Sequence, residues 1–193
     1  MQPSEALIDP IRQRRSIRAF RDEDVSEETL KLLLEAARWS ASCFNEQPWR
    51  FLVIRKTGDA AAFDELASCI NDDNRPWASK APALLLAVAK DRFTAFDEHN
   101  PYAWHDVGLA MGNLTIQGTA LGLNMHQMAG ILHDRIREVY KLPVDYSPVS
   151  ITAIGYPGKS EELPEPYRSK DAKPRERKPV SALVSPDEWR ETL

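Results

Sequence analysis

The sequence predicts one domain of mixed helices and strands. Two continuous apolar runs of strand length, Phe51 to Ile54 and Ala83 to Ala89, alternate with stretches whose apolar residues recur at helical spacing, as Leu30, Leu33, Leu34 and Ala37 do. At 193 residues, 42% of them hydrophobic, the chain is sized for a single core. A domain of this length buries about 70% of the surface that its unfolded form exposes.

In chain order, residues 4–15 read as a short helix in which Pro10 marks the first turn or a break, and Arg12, Arg14 and Arg15 fall at its C-terminal end. Ile17 to Phe20 alternates as an extended segment does, which points Arg14, Ser16 and Arg18 to one side. Such a run is either an anion cradle or a solvated basic face. Ser26, followed by Glu27 and Glu28, is the N-cap of an amphipathic helix running to Trp39. The next stretch, Ser40 to Trp49, is a loop of small hydroxyl and amide side chains whose composition suits ligand contact. Phe51 to Ile54 is expected as a strand buried on both faces and central in its sheet. Gly58-Asp59 is expected as the turn into a helix over 60–70.

Asn71 to Pro76 breaks regular structure, and Ala83 to Ala89 makes the second buried strand. Asn100 as cap and Pro101 as first residue open the longest helix, which reaches Gly122. Gly108, Gly112, Gly118 and Gly122 lie in it or at its end. Each interior glycine costs about 1 kcal/mol against alanine, so close packing against another helix is expected, within one subunit or across a homodimer. Residues 123–128 form a third strand, 132–140 a charged helix with Ile136 and Val139 inward, and 148–154 a fourth strand. The proline-rich, charged tail reads as disordered, or else as folding back to deliver the cluster Arg175-Glu176-Arg177-Lys178 ahead of a strand-like Val180 to Val184.

A net charge of −4 and a pI near 5.6 argue against a nucleic-acid partner steered by overall charge, yet leave room for a local pocket that binds one phosphate. Cys43 and Cys69 form no Cys-x-x-Cys pair, and the four histidines show no ligand spacing, so no metal site is expected. With no secretory core and no window of membrane-spanning length, the cytoplasm is the expected location. No Ser-His-Asp set stands out. A nucleophilic Cys43 with His126 or His105 as base, and a nucleic-acid module using the two basic clusters, remain rival expectations.

Five segments in series, Arg14 to Phe20, Ala41 to Trp49, Ala120-Leu121-Gly122-Leu123, Ala153 to Pro157 and Arg175 to Pro179, resemble the nitroreductase family of FMN-dependent oxidoreductases over nearly the whole chain. The resemblance implies an α+β, three-layer fold whose central, mostly antiparallel sheet is flanked by helices. It implies an intertwined homodimer with FMN at the interface, one domain over 1–193, and a tail over 157–193 that wraps the domain or its partner. By match to the family pattern, Arg14 and Ser16 hold the FMN phosphate with Arg175 and Arg177, Arg15 adds contacts, and Arg18 lies nearer the pyrimidine end of the ring, where a cation stabilises reduced flavin. Ala41, Ser42 and Cys43, supported by Asn45 and Gln47, come from the other subunit. Asn74 meets the isoalloxazine edge, and Gln127, Met128, Ala129 and Gly130 bring backbone groups to the flavin face. Three positions depart from the family: Ala41 stands in place of a proline, Cys43 in place of a serine, and Ala129 in place of an acidic residue. The implied reaction is a ping-pong transfer from NADH or NADPH, through the flavin, to a small acceptor such as a nitroarene or quinone. An FMN carrier or sensor without turnover is the alternative.

Overall fold

The computed structural model describes residues 6–185. Its centre is a four-stranded sheet in the order β1-β2-β4-β3, formed by Trp49–Arg55 (β1), Ala83–Lys90 (β2), Asn124–Met128 (β3) and Tyr146–Gly155 (β4). All neighbours are antiparallel.

The side-chain period of two in β2 divides the core. Ala83, Leu85, Ala87 and Ala89 face one apolar layer, and Leu84, Leu86 and Val88 face the other. The first layer is covered by Glu27–Arg38 (α2) and Ala103–Ala120 (α5), which pack on each other through Leu30, Leu33 and Ala37 against Val107, Ala110, Met111 and Leu114. The second is covered by Ala60–Ala67 (α3), Arg75–Ala78 (α4) and His133–Tyr140 (α6), with Phe63, Leu66, Trp77 and Ile136 inward. This is the α+β, three-layer arrangement that the resemblance implies.

The local signals act as expected in several places. Ser26 Oγ accepts from the Thr29 amide at 3.1 Å, and Asp59 caps α3 by accepting from Ala62 N at 2.9 Å. Pro148 is tolerated inside β4 because the register against β2 shifts there: Val88 pairs with Pro148 and Ala87 with Ser150, leaving Val149 as the extra residue of a bulge.

Other expectations need correction. β1 is an edge strand rather than a central one, and its residues after Trp49 are only half-buried or exposed, because β2 carries β4 on its other side. The first helix spans only Asp9–Gln13 (α1), with Pro10 in its first turn; Ser4 lies outside the described residues. The helix expected over 60–70 ends at Ala67. α5 starts at Ala103, while Asn100 Oδ1 accepts from Tyr102 N in the preceding turn.

The α5 glycines are not explained by one helix contact. Gly118 alone is closed in, since a Cβ there would lie 2.6 Å from Met125 Cε and 3.4 Å from Leu33 Cδ2. At Gly108 and Gly112 a Cβ would meet nothing within the protomer. In the tail, a short helix forms at Tyr167–Ala172 (α7), and Val180–Ala182 is a 3-10 turn instead of a strand. Its backbone closes on itself, Ala182 N donating to Pro179 O at 3.0 Å and Leu183 N to Val180 O at 2.9 Å, which is the hydrogen bonding of a turn rather than of a strand ladder.

Candidate functional site

Residues 14–18 run as an extended segment beside the start of β3. Asn124 fixes it from both directions, its Nδ2 donating to Ile17 O at 2.9 Å and its Oδ1 accepting from Ile17 N at 3.4 Å. His126 Nδ1 lies 3.2 Å from the same Ile17 carbonyl, and its ring packs on Trp77 at 4.4 Å between centroids. Burial, reinforced by Arg18 and Arg14, pushes His126 down from its ordinary 6.5 to about 4, against the upward pull of its bond to Ile17 and of Asp171. The ring is therefore neutral at pH 7.

So held, Arg14 and Ser16 open into a cavity of about 440 Å³ that is also lined by Gly112, Thr115, Ile116, Met125 and Gln127. Arg14 Nη1 donates to Ser16 Oγ at 3.2 Å, and Gln127 Nε2 donates to Thr115 Oγ1 at 3.0 Å. The Arg14 guanidinium is lowered first by burial and then by repulsion from Arg177 and Arg175, so the tail does bring its basic cluster to the N-terminal one. Arg175 spends its guanidinium on the carbonyls of Arg14, at 2.6 Å, and Arg12. Arg177 Nη1 donates to Glu176 O at 2.6 Å. Among the described residues no carboxylate is bonded to Arg14, Arg175 or Arg177. Arg14, beside the Ser16 hydroxyl and the Gln127 amide and within the field of Arg177 and Arg175, suits a dianionic phosphate, whose oxygens accept several charge-assisted bonds at once, although neither tail arginine lines the cavity itself.

Not every expected residue enters this cavity. Arg15 and Arg18 turn towards the tail: Arg15 Nη2 donates to Asp171 O at 3.1 Å and Lys173 O at 2.8 Å, and Arg18 Nη1 pairs with Asp171 Oδ1 at 2.7 Å beneath the Trp77 ring. Asn74 and Gly130 are brought together, since Gly130 O accepts from Asn71 N at 3.0 Å and the Asn74 amide lies against the same glycine. Met128 is 3% exposed and packs in the core with Ile136 of α6, while Gln127 and Ala129 are exposed.

The loop bearing Ala41, Ser42, Cys43, Asn45 and Gln47 sits over the N-terminal turns of α5 and does not line the Arg14 cavity of its own protomer. Ser42 Oγ accepts from Gln47 N at 3.0 Å, and Gln47 Nε2 donates to Asn45 O at 3.2 Å. Phe44, Asn45 and Gln47 all take left-handed φ near 50°, at 51°, 55° and 51°. Such clustered strain persists only where the surroundings over-determine it, as at ligand clamps. The nucleophile alternative finds no support here, because His105 Nδ1 is bonded to Asp106 and His126 to Ile17, and among the described residues neither is bonded to Cys43.

The chain matches the Nitroreductase family model over residues 11–156. It belongs to the nitroreductase family. Protein DrgA of Synechocystis is 30% identical, over 84% of this chain and 88% of its own. The FMN reductase [NAD(P)H] of Bacillus subtilis is 26% identical, over 82% of this chain and 70% of its own. A solved structure described as the oxidoreductase containing FMN superposes with a TM-score of 0.89 at 28% identity, covering 96% of this chain and 94% of that one.

Sequence reasoning missed the two carboxylates and the amide that hold the segments of the candidate site in place. Asp106 holds the Ser42 to Gln47 loop, Asp171 holds Arg18, and Asn124 holds Ile17. A lone aspartate on a predicted helix carries no motif, and its partners become visible only once distant segments meet. The nitroreductase match ends before the tail, so Asp171, Arg175 and Arg177 all lie beyond it.

Proposed function

We propose that the chain is an FMN-dependent NAD(P)H oxidoreductase that works as a homodimer in the cytoplasm. The observation that carries this reading is the Arg14–Ser16 pair, opening into a cavity with Gln127 while Arg175 and Arg177 press on Arg14 and, among the described residues, no carboxylate is bonded to any of the three. In this reading Arg14, Ser16, Arg175 and Arg177 hold the FMN phosphate and Arg15 adds to their field. Arg18, its charge balanced by Asp171, lies on the ring side, Asn74 offers its amide to the isoalloxazine edge, and the backbone of residues 127–130 borders the flavin face. Bound FMN supplies hydride acceptance and donation at N5. The protein's own part is to hold the ring, exclude water and leave one face open.

Ala41, Ser42, Cys43, Asn45 and Gln47 would complete the site of the other protomer. The α5 face bearing Gly108 and Gly112 supports this, because Trp104 and Leu109 stay 49% and 42% exposed on it, and Trp39 and Phe44 stay 76% and 77% exposed beside it. Apolar surface of this kind, studded with glycines that nothing in the protomer requires, fits a helix meeting its copy. A single open face implies that NADH or NADPH and the acceptor, a nitroarene, a quinone or a similar small molecule, occupy it in turn, which is ping-pong order. Both thiols, Cys43 and Cys69, are free, in keeping with a reducing compartment.

The test is spectroscopic. The purified protein is expected to be a yellow dimer that NADH or NADPH bleaches anaerobically and that a nitroarene or quinone reoxidises, with parallel double-reciprocal plots. A colourless protein would overturn the flavin assignment, and a yellow one that neither dinucleotide reduces would make it an FMN carrier.

A further inference from the structure

The tail holds a carboxylate that the oxidoreductase reading leaves unused. Asp171 lies on α7, its side chain is 0% exposed, and it collects three donors: Arg18 N at 2.7 Å, Arg18 Nη1 at 2.7 Å and Ser160 Oγ at 3.2 Å. Two further arginines stitch the same tail to the same segment. Arg15 Nη2 reaches the carbonyls of Asp171 and Lys173, and Arg175 reaches back to the carbonyls of Arg12 and Arg14. Residues 12–18 are thus clamped between the tail on one side and Asn124 and His126 of β3 on the other.

This clamp sorts the arginines. Asp171 neutralises Arg18 and fixes the backbone amide of residue 18, two positions beyond Ser16, so its own negative charge is spent before it can oppose an anion in the cavity. Arg14, bonded to no carboxylate among the described residues, keeps its charge for that cavity. Charge-assisted bonds to a phosphate depend on donors held within about 0.5 Å of their place, and a free chain of six or seven residues provides no such order.

We propose that Asp171 is a positioning residue for the phosphate cradle, acting through Arg18 and the backbone of residues 16–18, and that it thereby sets the protein's preference for FMN over riboflavin, which lacks the phosphate. The inference rests on the proposed placement of the FMN phosphate at Arg14 and Ser16. It explains why the tail is folded onto the arginine segment, and it makes cofactor retention depend on residues beyond 11–156, the stretch that the family model matches.

The test compares two ligands on the full-length chain, stripped of flavin and titrated with FMN or riboflavin by fluorescence. Asp171→Asn is expected to raise the FMN dissociation constant at least about 10-fold while moving that of riboflavin less than about 2-fold, since only the phosphate bonds are lost. Equal weakening of both ligands would mean a merely structural role and would overturn the proposal, as would no change in either. Arg14→Ala separates this inference from the reading beneath it. If Arg14→Ala keeps the preference for FMN, the phosphate placement itself is wrong; if it abolishes the preference while Asp171→Asn retains it, only the role of Asp171 fails. Should Asp171→Asn not fold, Ser160→Ala removes one donor and leaves the carboxylate. It is then expected to weaken FMN alone by about 2- to 5-fold, and an unchanged preference would overturn the proposal.

Discussion

The backbone amide of Cys43 donates to Oδ2 of Asp106 at 2.9 Å, joining the middle of the Ser40 to Trp49 loop to the first turn of α5. The other carboxylate oxygen lies 2.9 Å from His105 Nδ1, and the Asp106 side chain is only 3% exposed. One buried carboxylate therefore holds a loop that carries three left-handed residues.

Replacing Asp106 with alanine leaves the part-buried Cys43 N–H without its acceptor, a loss of about 1–3 kcal/mol. Asp106→Ala is expected to melt several degrees lower than the parent and to show faster proteolysis between Ser42 and Gln47. Asp106→Asn keeps an acceptor oxygen and should recover most of the loss. An Asp106→Ala protein that melts with the parent would show that the loop is held by something else.

Arg177 lies close enough to Arg14 to hold its guanidinium below the ordinary value by repulsion, after burial. Removing either cation relieves that repulsion in the apoprotein but deletes charge-assisted bonds worth roughly 1.5–3 kcal/mol in the complex. Arg14→Ala and Arg177→Ala should each bind FMN about 10- to 100-fold more weakly, with an unchanged elution volume on size exclusion. Full flavin retention through purification in both variants would sink the assignment of this cluster.

His126 titrates at about 4 in the folded chain against an ordinary 6.5, chiefly because it is buried. Well above pH 6.5 the ring is neutral in both folded and unfolded chains and this group contributes no pH dependence. As pH falls from 6.5 towards 4, the unfolded chain takes up a proton that the folded chain refuses, so stability declines by an amount on the order of 3 kcal/mol. Melting temperatures recorded across that window should fall for the parent and fall less steeply for His126→Gln. Identical slopes would place the acid sensitivity elsewhere.

Gly158 donates its N–H to Ala19 O at 3.0 Å, and a Cβ at this position would lie 2.8 Å from the carbonyl carbon of Phe20 and 2.9 Å from its oxygen. Backbone cannot step aside as a flexible side chain can. Gly158→Ala is expected to cost about 1–3 kcal/mol and to loosen the tail from the arginine segment, seen as increased hydrogen exchange at Arg18 to Arg21. A variant with parent-like stability and exchange would show that the two strands of chain can part without cost.

Much of the fold is legible in the sequence, because each of its elements is specified by neighbours in the chain. The apolar run of Ala83 to Ala89 becomes β2, Ser26 and Asp59 cap their helices, and Leu30, Leu33 and Ala37 form a buried stripe. The position of β1 was not legible, since a short apolar run reads alike at the edge and at the centre of a sheet; only the order β1-β2-β4-β3 distinguishes them. The strand-like Val180 to Val184 fails for a related reason, because β-branched residues favour a strand only where an edge is offered to them.

The site divides along the same line. The types of residue that suit a phosphate, the small-residue loop and the glycine-bearing helix are local facts, and the sequence alone supplies them along with the family resemblance. Which arginine serves which partner is not local. Arg14, Arg15 and Arg18 are nearly interchangeable as text, yet Arg14 opens into the cavity while Arg15 and Arg18 are taken by the tail. That allocation depends on the buried Asp171, more than 150 positions away, lying within hydrogen-bond reach of one guanidinium and not of another. Charges interact through distance in space, and distance in space is what the tertiary structure adds.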